Sequence, residues 1–209
     1  MREAPVIAFL IFDGLTPLDF VGPFEVLSRL PGAHTRVVSP TGMAISASGD
    51  KLGIAVDCGI ADLDAADILV VPGGPGARIL MHDAATTDWV RKIAATAAWT
   101  ASVCTGSLIL GGAGLLGGCE ATTHWSARDL LATTGAIPVA RRIVEHPRLI
   151  TAAGVSSGID MALLLAARVA GEDIAKAIQL RIEYDPQPPF DSGSLEKASA
   201  EIRALAASV

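Results

Sequence analysis

The sequence predicts an α/β protein, a three-layer α/β/α sandwich in which helices cover both faces of a mostly parallel central sheet. Three segments are continuously apolar, as expected of strands buried on both faces: residues 6–12, 68–71 and 99–103. Each is followed by a short turn and then by residues at helical spacing. The 21 glycines, against five phenylalanines and three tryptophans, favour tight turns and close contacts between helices and sheet.

Length and composition predict one domain spanning residues 1–209, because 209 residues with 51% hydrophobic content suit one large core. The net charge of −6 and the lack of a Lys/Arg cluster argue against a nucleic-acid partner. The first apolar run is too short to span a membrane, so no membrane partner is expected. Three cysteines without a CxxC motif indicate a reduced, cytoplasmic setting. The four histidines lack metal-binding spacing, so no metal site is expected.

The first half of the chain is expected to hold a strand at 6–12, a helix at 16–30, a strand at 35–39, a hairpin of 43–47 with 51–57 around 48–50, and a strand at 68–72. Asp19 lies three residues after Thr16, the candidate first cap of the helix. This is the capping-box position, where a carboxylate reaches back to the N–H of the cap residue. The ordinary interpretation of Asp19 is therefore a helix start.

A small-residue loop, Gly73-Gly74-Pro75-Gly76, follows the strand at 68–72. It completes neither a dinucleotide-binding nor a P-loop motif, and Pro75 removes one N–H donor, so nucleotide binding is disfavoured. The loop does leave the carboxyl end of a strand, where open α/β sheets place their ligands. It can bring backbone N–H groups, those of Gly73 and Gly74, to a substrate.

The stretch 100–108 is the most informative one, because an apolar strand changes to helical spacing directly after Cys104. Such a strand-to-helix turn, a nucleophile elbow, lifts a side chain above the sheet toward the first N–H groups of the next helix. The helix end favours a thiolate and predicts a lowered pKa for Cys104. The alternative is an inert core cysteine, since free cysteine is often buried.

The second half is expected to hold helices at 88–98 and 126–134, strands at 140–145 and 148–152, helices at 154–169 and 172–184, a proline-rich extended segment after 184, and an amphipathic helix at 194–207. His124 lies 20 residues after Cys104, and a structural role is its ordinary interpretation. Cys58 is expected to pack in the core.

Together, the buried first strand, Asp19 in the first helix, Pro72-Gly73-Gly74 and the elbow Ser102-Val103-Cys104-Thr105-Gly106 resemble the ThiJ/PfpI superfamily. Within it, the isocyanide hydratase branch is similar at Leu18-Asp19, Gly22-Pro23 and Ala121-Thr122-Thr123-His124-Trp125, and in the tail at Glu183-Tyr184 and Pro188-Pro189-Phe190. The resemblance spans essentially the whole chain. It implies a flavodoxin-like fold, a homodimer and a cofactor-independent enzyme that acts on a small-molecule isocyanide.

The resemblance also implies roles for single residues. Cys104 would attack the isocyanide carbon to give a thioimidate, Asp19 would manage the proton, and water would release an N-substituted formamide. Two negative charges about 4 Å apart cost roughly 4 kcal/mol at an effective dielectric constant of 20, so Cys104 and Asp19 are expected to share one proton. The backbone at Gly74 and Thr105 would donate hydrogen bonds near the reacting centre, and the Thr105 hydroxyl would orient water.

Other functions stay open at this point. Superfamily peptidases carry histidine directly after the cysteine, and Thr105 stands there instead. Glyoxalase or deglycase chemistry on small dicarbonyls would use the same Cys104. Similar domains are ligand-sensing halves of AraC-type regulators, and a low-pKa cysteine also suits a redox sensor.

Overall fold

A mostly parallel sheet with helices on both faces forms the centre of the computed structural model, which describes residues 4–48 and 52–208. The strands are β1 (Val6–Leu10), β2 (His34–Ser39), β3 (Ile45–Ser46), β4 (Gly53–Ile54), β5 (Cys58–Gly59), β6 (Ile68–Val71), β7 (Trp99–Val103), β8 (Glu120–Ala121), β9 (Ile137–Pro138), β10 (Ile143–His146) and β11 (Leu149–Ala152). The helices are α1 (Pro17–Leu27), α2 (Ala77–Leu80), α3 (Ala84–Thr96), α4 (Gly106–Gly112), α5 (Arg128–Ala132), α6 (Ser157–Ala170), α7 (Glu172–Arg181) and α8 (Ala200–Ala206). The predicted α/β class and sandwich architecture are confirmed.

The main sheet has seven strands in the order β10-β11-β7-β6-β1-β2-β5, and only β10 runs antiparallel to its neighbour. Val71 of β6 lies beside Ser102 of β7, and Ala152 of β11 lies beside Val103. Three adjacent strands therefore end at the same edge of the sheet. The loops that follow β6, β7 and β11 meet there, around residue 104.

The core follows from the apolar runs that predicted the strands. All four residues of β6 are fully buried, and so are the last four of β1. Phe9 of β1 contacts Phe20 and Phe24 of α1, with ring centroids 5.5 and 5.3 Å apart. These aromatic contacts hold α1 against the sheet and fix the position of Asp19, which lies one residue before Phe20.

The helices depart most from the sequence expectations at α3, at α2 and at the end of the chain. Helix α3 begins at Ala84 rather than 88, because the Asp83 side chain accepts a hydrogen bond from Thr86 N at 2.8 Å and caps the helix earlier. Helix α2 after the glycine loop was not predicted. At the end of the chain, the amphipathic helix predicted for 194–207 is wrong over its first half: residues 192–198 form turns, and α8 covers only Ala200–Ala206.

The hairpin predicted for 43–57 is present as the antiparallel pair β3 and β4. Gly49, Asp50 and Lys51 of its predicted turn lie outside the described residues. No helix in the described ranges 4–48 and 52–208 is long and apolar enough to cross a membrane.

The aromatic contact between β1 and α1 gives a stability prediction. Phe9→Ala should lower the free energy of unfolding by about 3–5 kcal/mol, because it removes a fully buried ring and leaves a cavity. Chemical denaturation at pH 7 measures the change. Phe190→Ala is the matched control, since Phe190 is 80% exposed and its loss should change stability by less than about 0.5 kcal/mol. Equal losses in the two variants would contradict the packing described here.

Candidate active site

Cys104 lies between β7 and α4 in a left-handed backbone conformation, with a φ of 56°. Its N–H donates to Ala153 O at 2.7 Å and to Ala152 O at 3.1 Å. Its carbonyl oxygen accepts hydrogen bonds from the hydroxyls of Thr123 at 3.0 Å and Ser107 at 3.2 Å. Residues from three segments therefore hold the backbone of one cysteine.

This conformation costs free energy, roughly 1–2 kcal/mol for a residue with a Cβ. Hydrogen bonds between uncharged groups contribute about 0.5–1.5 kcal/mol each, so the four hydrogen bonds to the Cys104 backbone offset the free-energy cost of this conformation. The consequence is a fixed side-chain direction: the sulfur points away from the strand and toward α1. The sequence predicted this elbow from the change of periodicity at 104.

The glycine loop after β6 interlocks with the elbow. The Thr105 hydroxyl donates to Gly74 O at 3.0 Å and accepts from Gly74 N at 2.8 Å. A Cβ at Gly73 would overlap Thr105 N, and one at Gly106 would overlap Val71 O. The loop and the helix start therefore approach each other through bare backbone. Because both hydroxyl contacts of Thr105 go to Gly74, this side chain is committed to joining the two segments.

Asp19 lies on the other side of the sulfur, in the first turn of α1, and is completely buried. Its Oδ2 accepts a hydrogen bond from Gly73 N at 3.0 Å. The capping-box interpretation is wrong, because Thr16 N donates to Gly73 O at 2.9 Å rather than to the carboxylate. Gly73 thus bonds to both Thr16 and Asp19 at the start of α1. The Asp19 carboxylate is not used to cap the helix and can interact with the elbow.

The second carboxylate oxygen of Asp19, Oδ1, is buried and accepts no hydrogen bond of good geometry from the described residues. The Cys104 side chain is the neighbour of the carboxylate across the site, and their interaction favours the ionised carboxylate. An unsatisfied buried carboxylate oxygen is costly, so it is expected where a proton moves or a ligand binds. Asp19 and Cys104 are therefore candidates to share a proton.

The electrostatics of the pair follow from burial. Desolvation raises the pKa of the Asp19 carboxyl to about 6, although hydrogen bonds from Cys104 and Gly73 oppose the change. Desolvation, and then the charge of Asp19, raise the pKa of the Cys104 thiol to about 12. The N–H groups of Thr105 and Val155 point at the sulfur and pull in the other direction, but they do not outweigh burial.

The prediction that the helix end lowers the pKa of Cys104 is therefore wrong for the resting site. Cys104 is only 4% exposed, and a thiolate beside an ionised carboxylate is unfavourable there. These pKa directions favour a thiol beside a carboxylate at pH 7. That the pair shares one proton stays a prediction.

A cavity of about 460 Å³ opens next to the pair. Cys104 and Asp19 do not line it, but their immediate neighbours do: Leu18 precedes Asp19, Thr123 bonds to Cys104 O, and Val155 directs its N–H at the sulfur. Residues 193–196 of the tail form the opposite wall. The pair therefore lies next to the part of the cavity wall that Leu18, Thr123 and Val155 form.

The five residues singled out from the sequence meet in one place: Cys104, Asp19, Thr105, Gly73 and Gly74. Sequence reasoning missed Val155 and the hydroxyl of Thr123. The strand register gives a signal for Val155, because β11 ends beside Val103 and the loop after it must pass Cys104. Thr123 carries no such signal, since its position depends on the short β8–β9 pair.

His124 lines the same cavity and packs against Gly154, where an added Cβ would lie 3.1 Å from its ring. Its Nδ1 is 2.8 Å from the Ser126 hydroxyl. Burial, and then the charges of Arg78 and Arg128, lower the pKa of the imidazole, so the ring is neutral at pH 7. No cluster of three or more metal-ligating side chains occurs within residues 4–48 and 52–208.

Residues 6–168 match the DJ-1/PfpI family. The isonitrile hydratase of Pseudomonas putida is 44% identical over 94% of this chain and 86% of that protein. The transcriptional regulator GbdR of Pseudomonas aeruginosa is 30% identical over 88% of this chain, which corresponds to 52% of the regulator.

Solved structures agree on the fold. A ThiJ/PfpI family protein from Pseudomonas syringae has a TM-score of 0.93 and 38% identity, covering 97% of this chain and 84% of that one. Drosophila melanogaster DJ-1beta has a TM-score of 0.77 at 22% identity, covering 86% of this chain and 98% of that one, a likeness of fold alone.

The buried carboxylate predicts a pH-dependent effect of Asp19→Asn. Since burial raises the pKa of Asp19 from 3.8 to about 6, the native state holds a proton that the unfolded state releases, and native stability falls as the pH rises between these values. The neutral amide avoids this loss. Relative to the parent chain, Asp19→Asn should therefore gain about 2–3 kcal/mol between pH 4 and pH 7.5.

Urea denaturation across this pH range measures the difference. Asp129→Asn removes an exposed carboxylate from α5 and controls for the loss of one charge. A stability difference between Asp19→Asn and the parent chain that stays constant with pH would show that the carboxyl is not desolvated as described.

Proposed function

The chain belongs to the DJ-1/PfpI family, and from this membership and the geometry of its buried cysteine we propose that it is an isonitrile hydratase, an enzyme that hydrates an isocyanide to an N-substituted formamide. The observation that supports the proposal is the buried Asp19 carboxylate beside the Cys104 thiol, next to a cavity. The 44% identity to an isonitrile hydratase supports this choice among the activities of the family.

In the first step, the isocyanide carbon must receive both a nucleophile and a proton. The terminal carbon of R–N≡C accepts the sulfur of Cys104, while the thiol proton moves to the Asp19 carboxylate and from there to that carbon. The product is the thioimidate R–N=CH–S–Cys104. The unsatisfied Oδ1 of Asp19 suits this transfer, because it can take the proton without giving up the hydrogen bond from Gly73.

The second step returns the enzyme to its resting state. Water adds to the thioimidate carbon, and Asp19 takes one of its protons and passes it to the nitrogen, which gives R–NH–CH(OH)–S–Cys104. The C–S bond then breaks as Asp19 takes the hydroxyl proton, the formamide R–NH–CHO leaves, and Asp19 returns that proton to the Cys104 sulfur. The N–H groups of Thr105 and Val155 stabilise negative charge on the sulfur as it departs.

Attack by a thiol beside a carboxylate and attack by a thiolate beside a carboxylic acid are equivalent in proton count. Both states belong to the one-proton form of the pair, which prevails between about pH 6 and about pH 12. The raised pKa of Cys104 is therefore compatible with catalysis. Because of this raised pKa, the sulfur is ionised only during the chemical step, when Asp19 accepts its proton.

The contacts of Thr105 favour a structural role for this side chain, since its hydroxyl bonds only to Gly74. Its backbone N–H is the part that serves the sulfur. The substrate is a small molecule that fits a cavity of about 460 Å³. By resemblance to the family, the enzyme is also proposed to be a cytoplasmic homodimer, which light scattering on the purified protein would test.

An activity assay separates the candidate functions. Formamide production from an aliphatic isocyanide should fall to background in Cys104→Ala and by about a hundredfold or more in Asp19→Asn, because general acid–base catalysis typically contributes 10²–10⁴. Cys58→Ala and Cys119→Ala are matched controls, since both residues are free cysteines outside the site. Methylglyoxal is offered in parallel. Cysteine-dependent turnover of the dicarbonyl alone would favour a glyoxalase, and saturable ligand binding without turnover would favour a sensor.

The pH profile tests the proton arrangement. kcat/KM should be constant between pH 7 and pH 9 and should fall tenfold per pH unit below about pH 6, where Asp19 becomes protonated and the pair holds two protons. Initial rates of formamide formation measure the profile. A rate that keeps rising from pH 7 to pH 9 would mean that a free thiolate, rather than the shared proton, drives the reaction.

A further inference from the structure

The cavity beside Cys104 contains four charged residues, and three of them have their charge engaged. Arg141 pairs with Glu120, and Arg142 pairs with Asp160. Glu196 is exposed, and its carboxylate is held by the Ser194 side chain and by its own backbone N–H. The fourth residue is Arg128.

Arg128 donates no hydrogen bond and forms no ion pair within 4 Å across the described parts of the chain, and its Nε is fully buried. A guanidinium has five donors in a planar fork, and burying one of them without an acceptor is unfavourable. The charge of Glu196 reaches Arg128 through space but supplies no hydrogen bond. Arg128 is thus a cation in the cavity wall whose buried Nε has no acceptor among the described residues.

Local structure does not explain this arginine. It is the first residue of α5, and a cation near a helix N-terminus is unfavourable to the helix. The apolar part of the lining, which includes Leu18, Trp125 and Leu195, offers no partner for a charge. His124, on the same wall, is neutral at pH 7 and does not compete for an anion.

We propose that Arg128 binds a carboxylate on the N-substituent of the substrate, so that the cavity selects anionic isocyanides over neutral ones. The inference rests on the proposed hydratase function and specifies its substrate class. Arginine suits this role because its fork binds both oxygens of a carboxylate. The isocyanide carbon reaches Cys104, and the carboxylate lies against Arg128.

The reaction balances as ⁻OOC–R–N≡C + H₂O → ⁻OOC–R–NH–CHO, so the product keeps the carboxylate. Substrate and product share the group that Arg128 binds. Product binding can therefore be measured without any chemistry at Cys104.

The test uses a series of isocyanoalkanoates of increasing chain length, each beside its methyl ester, which is nearly equal in size and uncharged. For the best chain length, the parent enzyme should favour the anion over the ester by about ten- to a hundredfold in kcat/KM. Arg128→Gln should abolish that ratio, because it lowers kcat/KM for the anion much more than for the ester. Arg128→Lys keeps the charge but not the fork and should retain part of the ratio.

Arg141→Gln is the matched comparison, because it removes the same charge from the same cavity but from a guanidinium that already has a carboxylate partner. Its anion preference should stay close to that of the parent enzyme. Equal losses in Arg128→Gln and Arg141→Gln would overturn the proposal, since they would mean that only the overall cavity potential matters. Absence of any preference in the parent enzyme at every chain length would overturn it as well.

A second measurement separates failure of this inference from failure of the proposed function. Calorimetric titration with the N-formylamino acid product and with its methyl ester reports the anion preference without turnover. If no isocyanide is hydrated but the acid still binds better than the ester in an Arg128-dependent way, the hydratase function fails and the anion site stands. If the esters are hydrated and the acids bind no better, the anion site fails alone.

Discussion

Two acidic groups buried side by side are the constraint on which this structure depends. Because both groups are buried, ionisation of Asp19 or of Cys104 is favourable only while the other one holds a proton. The surrounding backbone meets this constraint: Gly73 bonds one oxygen of Asp19, and the N–H groups of Thr105 and Val155 face the sulfur. Burial costs stability in the resting state, but it leaves a proton ready for transfer.

The backbone that carries the pair is also under strain. The left-handed conformation of Cys104 is stabilised by its neighbours at the edge of the sheet. The ends of β7 and β11 lie in register beside it, and the glycine loop packs against the residues that follow it. Strained residues of this kind cluster at functional sites, where the surrounding structure over-determines them. The elbow therefore fixes the direction of the Cys104 side chain, and it can do so only because the surrounding fold is rigid.

Much of this arrangement is readable from the sequence. Continuous apolar runs predict a parallel sheet, and the change of period at Cys104 predicts the elbow, since both depend on local patterns. The pKa of Cys104 was predicted in the wrong direction, because helix-end electrostatics are local whereas burial is a property of the whole fold. The capping interpretation of Asp19 failed for a similar reason: its partner, Gly73, is 54 residues away. Arg128 gave no sequence signal at all, because an unmade hydrogen bond is visible only in three dimensions.

The bare-backbone contacts at Gly73 and Gly106 have a consequence for how such an enzyme can diversify. Side chains cannot be added at either position without overlapping Thr105 or Val71, so the glycine loop and the elbow beside the cavity do not tolerate larger residues there. The outer wall, at residues 140–142 and 193–196, consists of loops and exposed side chains that tolerate exchange. New substrate ranges, in evolution or in a directed library, should therefore arise by remodelling the entrance while the chemical machinery stays the same.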